Sequence, residues 1–361
     1  MKESKGVKFL IAIVIILIII CIALIILRIV NQNKPTTTTI SQDNNEIEQP
    51  IEEPKKQPVT FTGNERAIAV MIDNHKSAMP QAGLNVASIV YEMIVEGGET
   101  RLMEVFKSTD LNKIDLEKIG PIRSARHYFL DYALENDAIY VHFGWSPQAQ
   151  SDISKLKVNN INGLVESSKS FWRVKDKSAP HNAVTSTEKL KEIANRKEYR
   201  LTTTQKPVLN YTAEEVKLEE SELEAQTVTI PYSDYNTVKY EYDAETQRYI
   251  RYSRNIKQLD WLTNEVVTTK NIIITKCKNT TLNDGENKGR QTLDNIGVKE
   301  GYYITNGKAI QITCEKASRD SQTIYKDLQG NEIEVNDGNT FIQICPIDSK
   351  ITIEGSQIEA E

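Results

Sequence analysis

Histidine and cysteine are scarce in this chain, four of each among 361 residues, and each scarcity removes a class of chemistry. Cys21 lies inside an apolar run, which leaves Cys277, Cys314 and Cys345. An odd three permits at most one internal disulfide, so the fold must rest on a buried core; half-buried strand cysteines without chemistry are the expectation. No CxxC or cysteine–histidine spacing points to zinc, and HExxH and HxH are missing, so no metal is expected. GxGxxG and GxxxxGK[ST] are absent as well, and no cofactor is implied. Excess positive charge is lacking: 44 Lys and Arg against 50 Asp and Glu give a formal net charge of −6, which disfavours nucleic acid as a partner. No internal repeat or coiled-coil period is evident.

What is present begins with an unbroken apolar run starting at Phe9 and ending at Leu27, long enough to cross a bilayer as a helix. Lys2, Lys5 and Lys8 precede it and only Arg28 and Lys34 follow closely, so the N-terminus is expected in the cytoplasm and residues 29–361 outside the cell membrane. A cleavable signal peptide is the rival. Its apolar core should be shorter and followed by small residues, and nothing of that kind follows Leu27.

Residues 29–62 contain Thr36 to Thr39, four prolines and few large apolar side chains, the composition of a disordered stalk. The remaining length fits two domains, residues 63–205 and 227–352, with a polar, acidic connector at 206–226 and a tail at 353–361. In the first domain, residues 66–72, 88–95, 100–107 and 138–142 read as strands and 187–195 as a helix capped by Ser186 or Thr187, giving an α+β or α/β fold with a mixed sheet. The second reads as mainly β, a small sandwich or barrel. Val238, Tyr240 and Tyr242 alternate with charged residues, and Asn306-Gly307 marks a hairpin.

The stretch IGPIRSARHYFLDYALENDAIYVHFGWSPQA, residues 119–149, reads as turn, helix, strand and glycine loop. Ser124 is the expected helix N-cap, which would set Arg123 and Arg126 at the positive end of a helix dipole. Cations there make sense if an anion completes the site, whether a bound ligand or an internal carboxylate from Glu92, Glu96, Glu99 or Glu104.

All four histidines fall in the first domain, which places any acid-base chemistry there. Asp73 and His142 each end an apolar strand, where open α/β sheets hold ligands. Arg173 and the turn containing His181 and Asn182 can close the same pocket. Each has a plainer reading: Asp73 capping its turn, His142 a satisfied core histidine, His181 a turn stabiliser. Trp145 and Trp172 pack in the core or wall a sugar or peptide site. His75 and His127 look exposed and are left out. Gly144-Trp145-Ser146-Pro147-Gln148 lacks the second glycine of a nucleophile elbow.

AVMIDNHKSAMPQAGLNVASIVYEMIVEGGETR (69–101), IGPIRSAR (119–126), DAIYVHFGWSPQA (137–149) and APHNAVTS (179–186) together resemble the N-terminal domain of the YerB-like lipoproteins. The resemblance continues more weakly through VKYEYDAETQRYIR (238–251), GYYITNGKAIQITCEK (301–316) and residues 323–344. It implies an envelope location and two domains, and supports Asp73, Arg101, Arg123, Arg126, His142 and His181 as a set. It supplies no reaction. Cys21 departs from a lipoprotein cysteine, since it follows three isoleucines and more apolar residues follow it.

Three functions fit these observations. The first is a membrane-tethered envelope protein that binds an anionic cell-wall polymer or peptide carboxylate through Arg101, Arg123, Arg126 and Arg173, with His181 and Asn182. The second is an envelope hydrolase in which Asp73 and His142 exchange protons. The third is a scaffold for a partner enzyme of the envelope. Sequence does not decide whether the protein is an enzyme.

Overall fold

The computed structural model describes residues 57–107 and 116–355. The apolar run at residues 9–27 lies outside the described residues. Among the described residues, no helix is long and apolar enough to cross a membrane. The folded body starts before residue 63: Phe61 is buried, and the Val59 and Thr60 amides donate to the Asp337 carboxylate at 2.9 and 2.7 Å. The stalk expected to end at residue 62 therefore gives way to ordered chain by residue 59.

Ten strands form one mixed sheet. The first half of the chain supplies β1 (Ile68–Asp73), β2 (Ile89–Ile94), β3 (Thr100–Phe106), β4 (Ile139–His142) and β5 (Asn160–Asn162), in the order β2-β3-β1-β4-β5. β3 runs antiparallel to both neighbours, while β4 and β5 run parallel to β1. Every residue of β1, β2 and β3 is buried, because both faces of the sheet are covered.

The sheet does not stop at the connector. Strand Thr340–Pro346, near the end of the chain, pairs parallel with β2 from Ile89↔Thr340 to Met93↔Ile344. Strands Asn271–Cys277, Gly297–Thr305, Lys308–Lys316 and Ile324–Asp327 then continue the sheet to its far edge. The turn at Asn306-Gly307, with φ of 50° and 75°, joins two of them as the sequence predicts.

A second sheet of six strands includes Thr227–Ser233, Asn236–Asp243 and Arg248–Ser253. Alternate residues of the last two are buried, matching the predicted period of two. That inner face packs on the large sheet. The Tyr232 hydroxyl donates to the Gln343 side chain at 3.1 Å, and the Tyr240 and Phe341 rings lie 6.1 Å apart. Helices α1 (Phe129–Glu135), α2 (Pro147–Lys155) and α3 (Thr187–Arg196) belong to the first half. The Tyr91 hydroxyl donates to Glu135 of α1, while the next residue, Glu92, meets the second sheet; neighbouring strand residues point to opposite faces, so α1 lies across from that sheet. The fold is α+β with a β-rich C-terminal part. Its C-terminal strands are divided between two sheets, in place of the expected self-contained sandwich or barrel. Cys277, Cys314 and Cys345 are free and buried.

Candidate functional site

Strand register builds the site. Asp73 ends β1 and stands opposite Arg101 on β3. The turn between β2 and β3 passes through Gly97 and Gly98, with φ of 67° and 73°, a left-handed backbone that glycine adopts at little cost. It carries Glu96 to the same end of the sheet.

Arg123 arrives by a route the sequence did not show. Residues 119–125 are extended beside β1 and do not open a helix: Ile122 bridges Ile72, and the Arg123 amide donates to the Met71 carbonyl at 2.9 Å. Ser124 caps nothing; its hydroxyl donates to the Phe143 carbonyl at 3.1 Å, and α1 begins at Phe129 with no side-chain cap bond. The physical reason is that β1 and the Phe143–Gly144 segment offer backbone partners to this stretch, so its amides need no helix. Arg123 and Arg126 therefore precede α1 and do not lie in its first turn.

The three arginines differ in how far they are engaged. Arg126 forks onto Glu96 at 2.5 and 2.9 Å, so the internal-carboxylate reading holds for it. Arg101 donates to the Ser124 carbonyl and lies 3.6 Å from Glu96. Burial foremost, and then the charge of Arg126, push its guanidinium down to about 10, against the opposing pull of Glu96. Arg123 keeps a fork free. Its Nε is 3.2 Å from Asp73 Oδ2, its side chain is 26% exposed, and among the described residues its terminal nitrogens have no hydrogen-bond partner.

Burial alone would raise the Glu96 carboxyl, but bonding to Arg126 and the charges of Arg126 and Arg101 outweigh it and hold the group low. A lowered carboxyl stabilises the fold above its unfolded-state value of about 4.5 and loses that contribution as pH falls through the folded-state value. Acid titration of the wild-type protein and Glu96→Gln is expected to show two stability curves that converge below pH 4.5. Parallel curves throughout would remove this role.

His181 joins Asp73, its Nδ1 2.8 Å from Oδ2. His75, set aside on sequence grounds, stacks on His181 with ring centroids 4.4 Å apart and planes 14° apart. The available signal was its position two residues after Asp73, whose Oδ1 accepts the His75 amide at 3.0 Å. His142 does not join them. It is fully buried, with Nδ1 2.8 Å from the Gly144 carbonyl and Nε2 3.1 Å from Asn160 Oδ1, so both ring nitrogens have partners in the core and burial lowers its pKa. The expected Asp73–His142 proton exchange lacks contact between the two groups.

Arg173 and Asn182 bind each other at 2.6 Å, and Asn182 also donates to the Val174 and Lys177 carbonyls. Together they shape the loop that presents His181. Trp145 packs beside the His142 ring, in keeping with the core reading. One cleft of about 450 Å³ is lined by residues including Phe61, Lys206 and Tyr211, and another of about 290 Å³ by Arg66, Ile139 and Leu201; neither includes Asp73, Arg123 or His181. The Asp73 cluster lies at the sheet's end, with Asp73 and Arg101 buried and Arg123 partly exposed. No group of three His, Cys, Asp or Glu among the described residues is arranged for a metal ion.

Comparison with known proteins gives one consistent answer. Residues 56–200 match the N-terminal domain of a family described as protein of unknown function (DUF3048), and residues 228–342 match its C-terminal domain. A Bacillus subtilis (strain 168) protein named "Putative lipoprotein YerB" is 31% identical over 292 residues, spanning 78% of this chain and 81% of that protein. The crystal structure of YerB protein from Bacillus subtilis is similar with a TM-score of 0.70 at 30% identity, covering 80% of this chain and 94% of that one. Matched along both halves in sequence and in fold, the chain belongs to the YerB-like DUF3048 family.

Proposed function

We propose that this is a membrane-held protein of the cell envelope that binds an anionic group, such as a cell-wall polymer phosphate or peptide carboxylate, at Arg123. The observation that carries the reading is the unfilled guanidinium fork of Arg123, held at the sheet's end by Asp73. Charge balance supports it. Among the described residues, Arg101, Arg123 and Arg126 pair with Asp73 and Glu96, which leaves these five side chains one positive charge in excess. Arg101 and Arg126 supply the field and Arg123 the contact; Arg173 and Asn182 act through the His181 loop. The lipoprotein name of the Bacillus relative and the apolar run at residues 9–27 support the location.

Calorimetry of the full-length protein in detergent micelles with muropeptides and teichoic acid fragments is the test. Arg123→Ala is expected to weaken binding about tenfold or more, the scale of a charge-assisted hydrogen bond of about 1.5–3 kcal/mol. Equal affinity for wild type and variant sinks the reading.

A further inference from the structure

We propose that Lys118 and Lys177, gathered on the ring of Trp261, form a second anion subsite near Arg123, so that the ligand is a linear phosphate-bearing polymer seated on both; this rests on the anion-binding reading above. The Lys118 and Lys177 ammoniums lie 3.7 and 4.2 Å from the centroid of the Trp261 ring. Attraction to the ring's electron-rich face accounts for a cation there. It does not account for two, because the second brings a like charge into the same patch.

No acid answers that charge. Neither ammonium has a carboxylate partner among the described residues, and Lys177 Nζ instead donates to the Met79 carbonyl at 2.7 Å. Asp260, next to Trp261 in sequence, is buried, and its oxygens accept the Gly83, Asn85 and Leu262 amides at 3.0, 3.3 and 2.8 Å. Asp176, next to Lys177, is exposed. Burial foremost lowers the Lys177 pKa; Asp176 opposes this, and the charge of Lys118 adds to it. Lys118, Lys177 and Trp261 are all half-buried, so the patch is packed in place yet open to solvent. A bound anion relieves the repulsion between the two ammoniums, and an ammonium is a point charge that suits a phosphate oxygen.

Three links tie this patch to the Asp73 cluster. The Gln81 carbonyl accepts the Trp261 amide at 2.7 Å, while the Gln81 side chain donates to the Asp73 carbonyl at 3.1 Å. Lys177 and His181 share one loop, and their partners, Met79 and His75, share another. Lys118 stands five residues before Arg123, a distance of at most about 17 Å along extended chain. Successive groups of one polymer bridge a span of that order. The clefts described above include neither the lysines nor Arg123, and a polymer lying along a surface needs no cleft.

Calorimetry of the full-length protein in detergent, comparing orthophosphate with short linear polyphosphate, tests the proposal. The wild type is expected to bind polyphosphate at least about tenfold tighter per phosphate, the gain of two linked contacts over one. The double variant Lys118→Gln with Lys177→Gln is expected to lose that gain, and the slope of its log affinity against log salt to be shallower by about 1–2. Lys155→Gln with Lys157→Gln removes the same charge from exposed positions at the end of α2 and is expected to stay within about twofold of wild type, since screened charges away from the ligand contribute little. Equal losses in the two double variants reduce the effect to net charge and overturn the subsite. So does a wild type with no preference for polyphosphate. Arg123→Ala, also expected to lose the gain, separates the two ideas. A gain lost in Arg123→Ala but kept in the Lys118 and Lys177 variant overturns the subsite and leaves the Arg123 reading standing; the reverse pattern sinks the Arg123 reading.

Discussion

Glu92→Ala is expected to lower the unfolding free energy by about 3–5 kcal/mol, the cost of leaving a buried charge without its partner. Glu92 on β2 and Arg251 on the second sheet are both fully buried, with Arg251 Nη2 2.6 Å from the carboxylate. Burial by itself lowers the Arg251 pKa, but Glu92 and Tyr240 more than reverse this and raise it, so the arginine stays charged in the dry layer between the sheets. Glu92 also accepts from the Asn74 amide at 3.1 Å and the Thr100 hydroxyl at 2.8 Å, and one nitrogen of Arg251 has no partner. Truncation therefore strands a cation and two donors together. Urea denaturation reads the loss. A double variant, Glu92→Met with Arg251→Met, is expected to recover most of it, because an apolar pair of similar volume has no desolvation cost to offset. A double variant as unstable as Glu92→Ala defeats this account.

Glu104→Met is expected to do the opposite and stabilise the protein by about 2–3 kcal/mol near neutral pH. Glu104 sits on β3 with no exposure, and neither carboxyl oxygen has a hydrogen-bond partner among the described residues. Leaving a buried polar atom unsatisfied costs about 1–3 kcal/mol. Burial first, and the nearby Asp260 second, raise its pKa well above the usual carboxylate range. The sign follows from linkage. A raised carboxyl costs no stability below the unfolded-state value of about 4.5; above it the unfolded chain releases a proton that the fold retains, so stability falls with rising pH until the folded-state value is passed. Methionine has a similar length and no charge to desolvate. The gain should be smallest in acid and grow toward alkaline pH in thermal or urea unfolding. A gain independent of pH leaves the cause elsewhere.

Local pattern carried the strands and the turns. Asp73 at a strand end, the hairpin turn at Asn306-Gly307 and the alternation of Val238, Tyr240 and Tyr242 could all be read because each depends on neighbours within a few residues. Pairings across long separations could not. Nothing near Ile89 announces that Thr340 will lie beside it, and nothing near Arg126 selects Glu96 over Glu92, Glu99 or Glu104. Glu99 instead binds Arg254, and Glu92 binds Arg251, both from the C-terminal half. One clue went unused: in RYIRYS, Arg251 occupies an inward position of an alternating strand, which by itself calls for a buried acid. The misplaced helix start at Ser124 has the same origin, since a cap residue and an apolar period are local signals while β1's unfilled carbonyls are not. His142 shows the converse, a strand-end histidine whose partners, Gly144 and Asn160, are close enough in sequence to have been suspected.

The parallel pairing of strand Thr340–Pro346 with β2 sets a timetable for synthesis. A growing chain makes its N-terminal half first. Until residues 340–346 are available to pair, the outer rim of β2 presents unpaired amides and carbonyls flanked by Val90 and Tyr91, a template for association between incompletely folded chains. Completion of the sheet waits for a strand about 250 residues downstream of β2, so polypeptides truncated before that strand carry an adhesive seam.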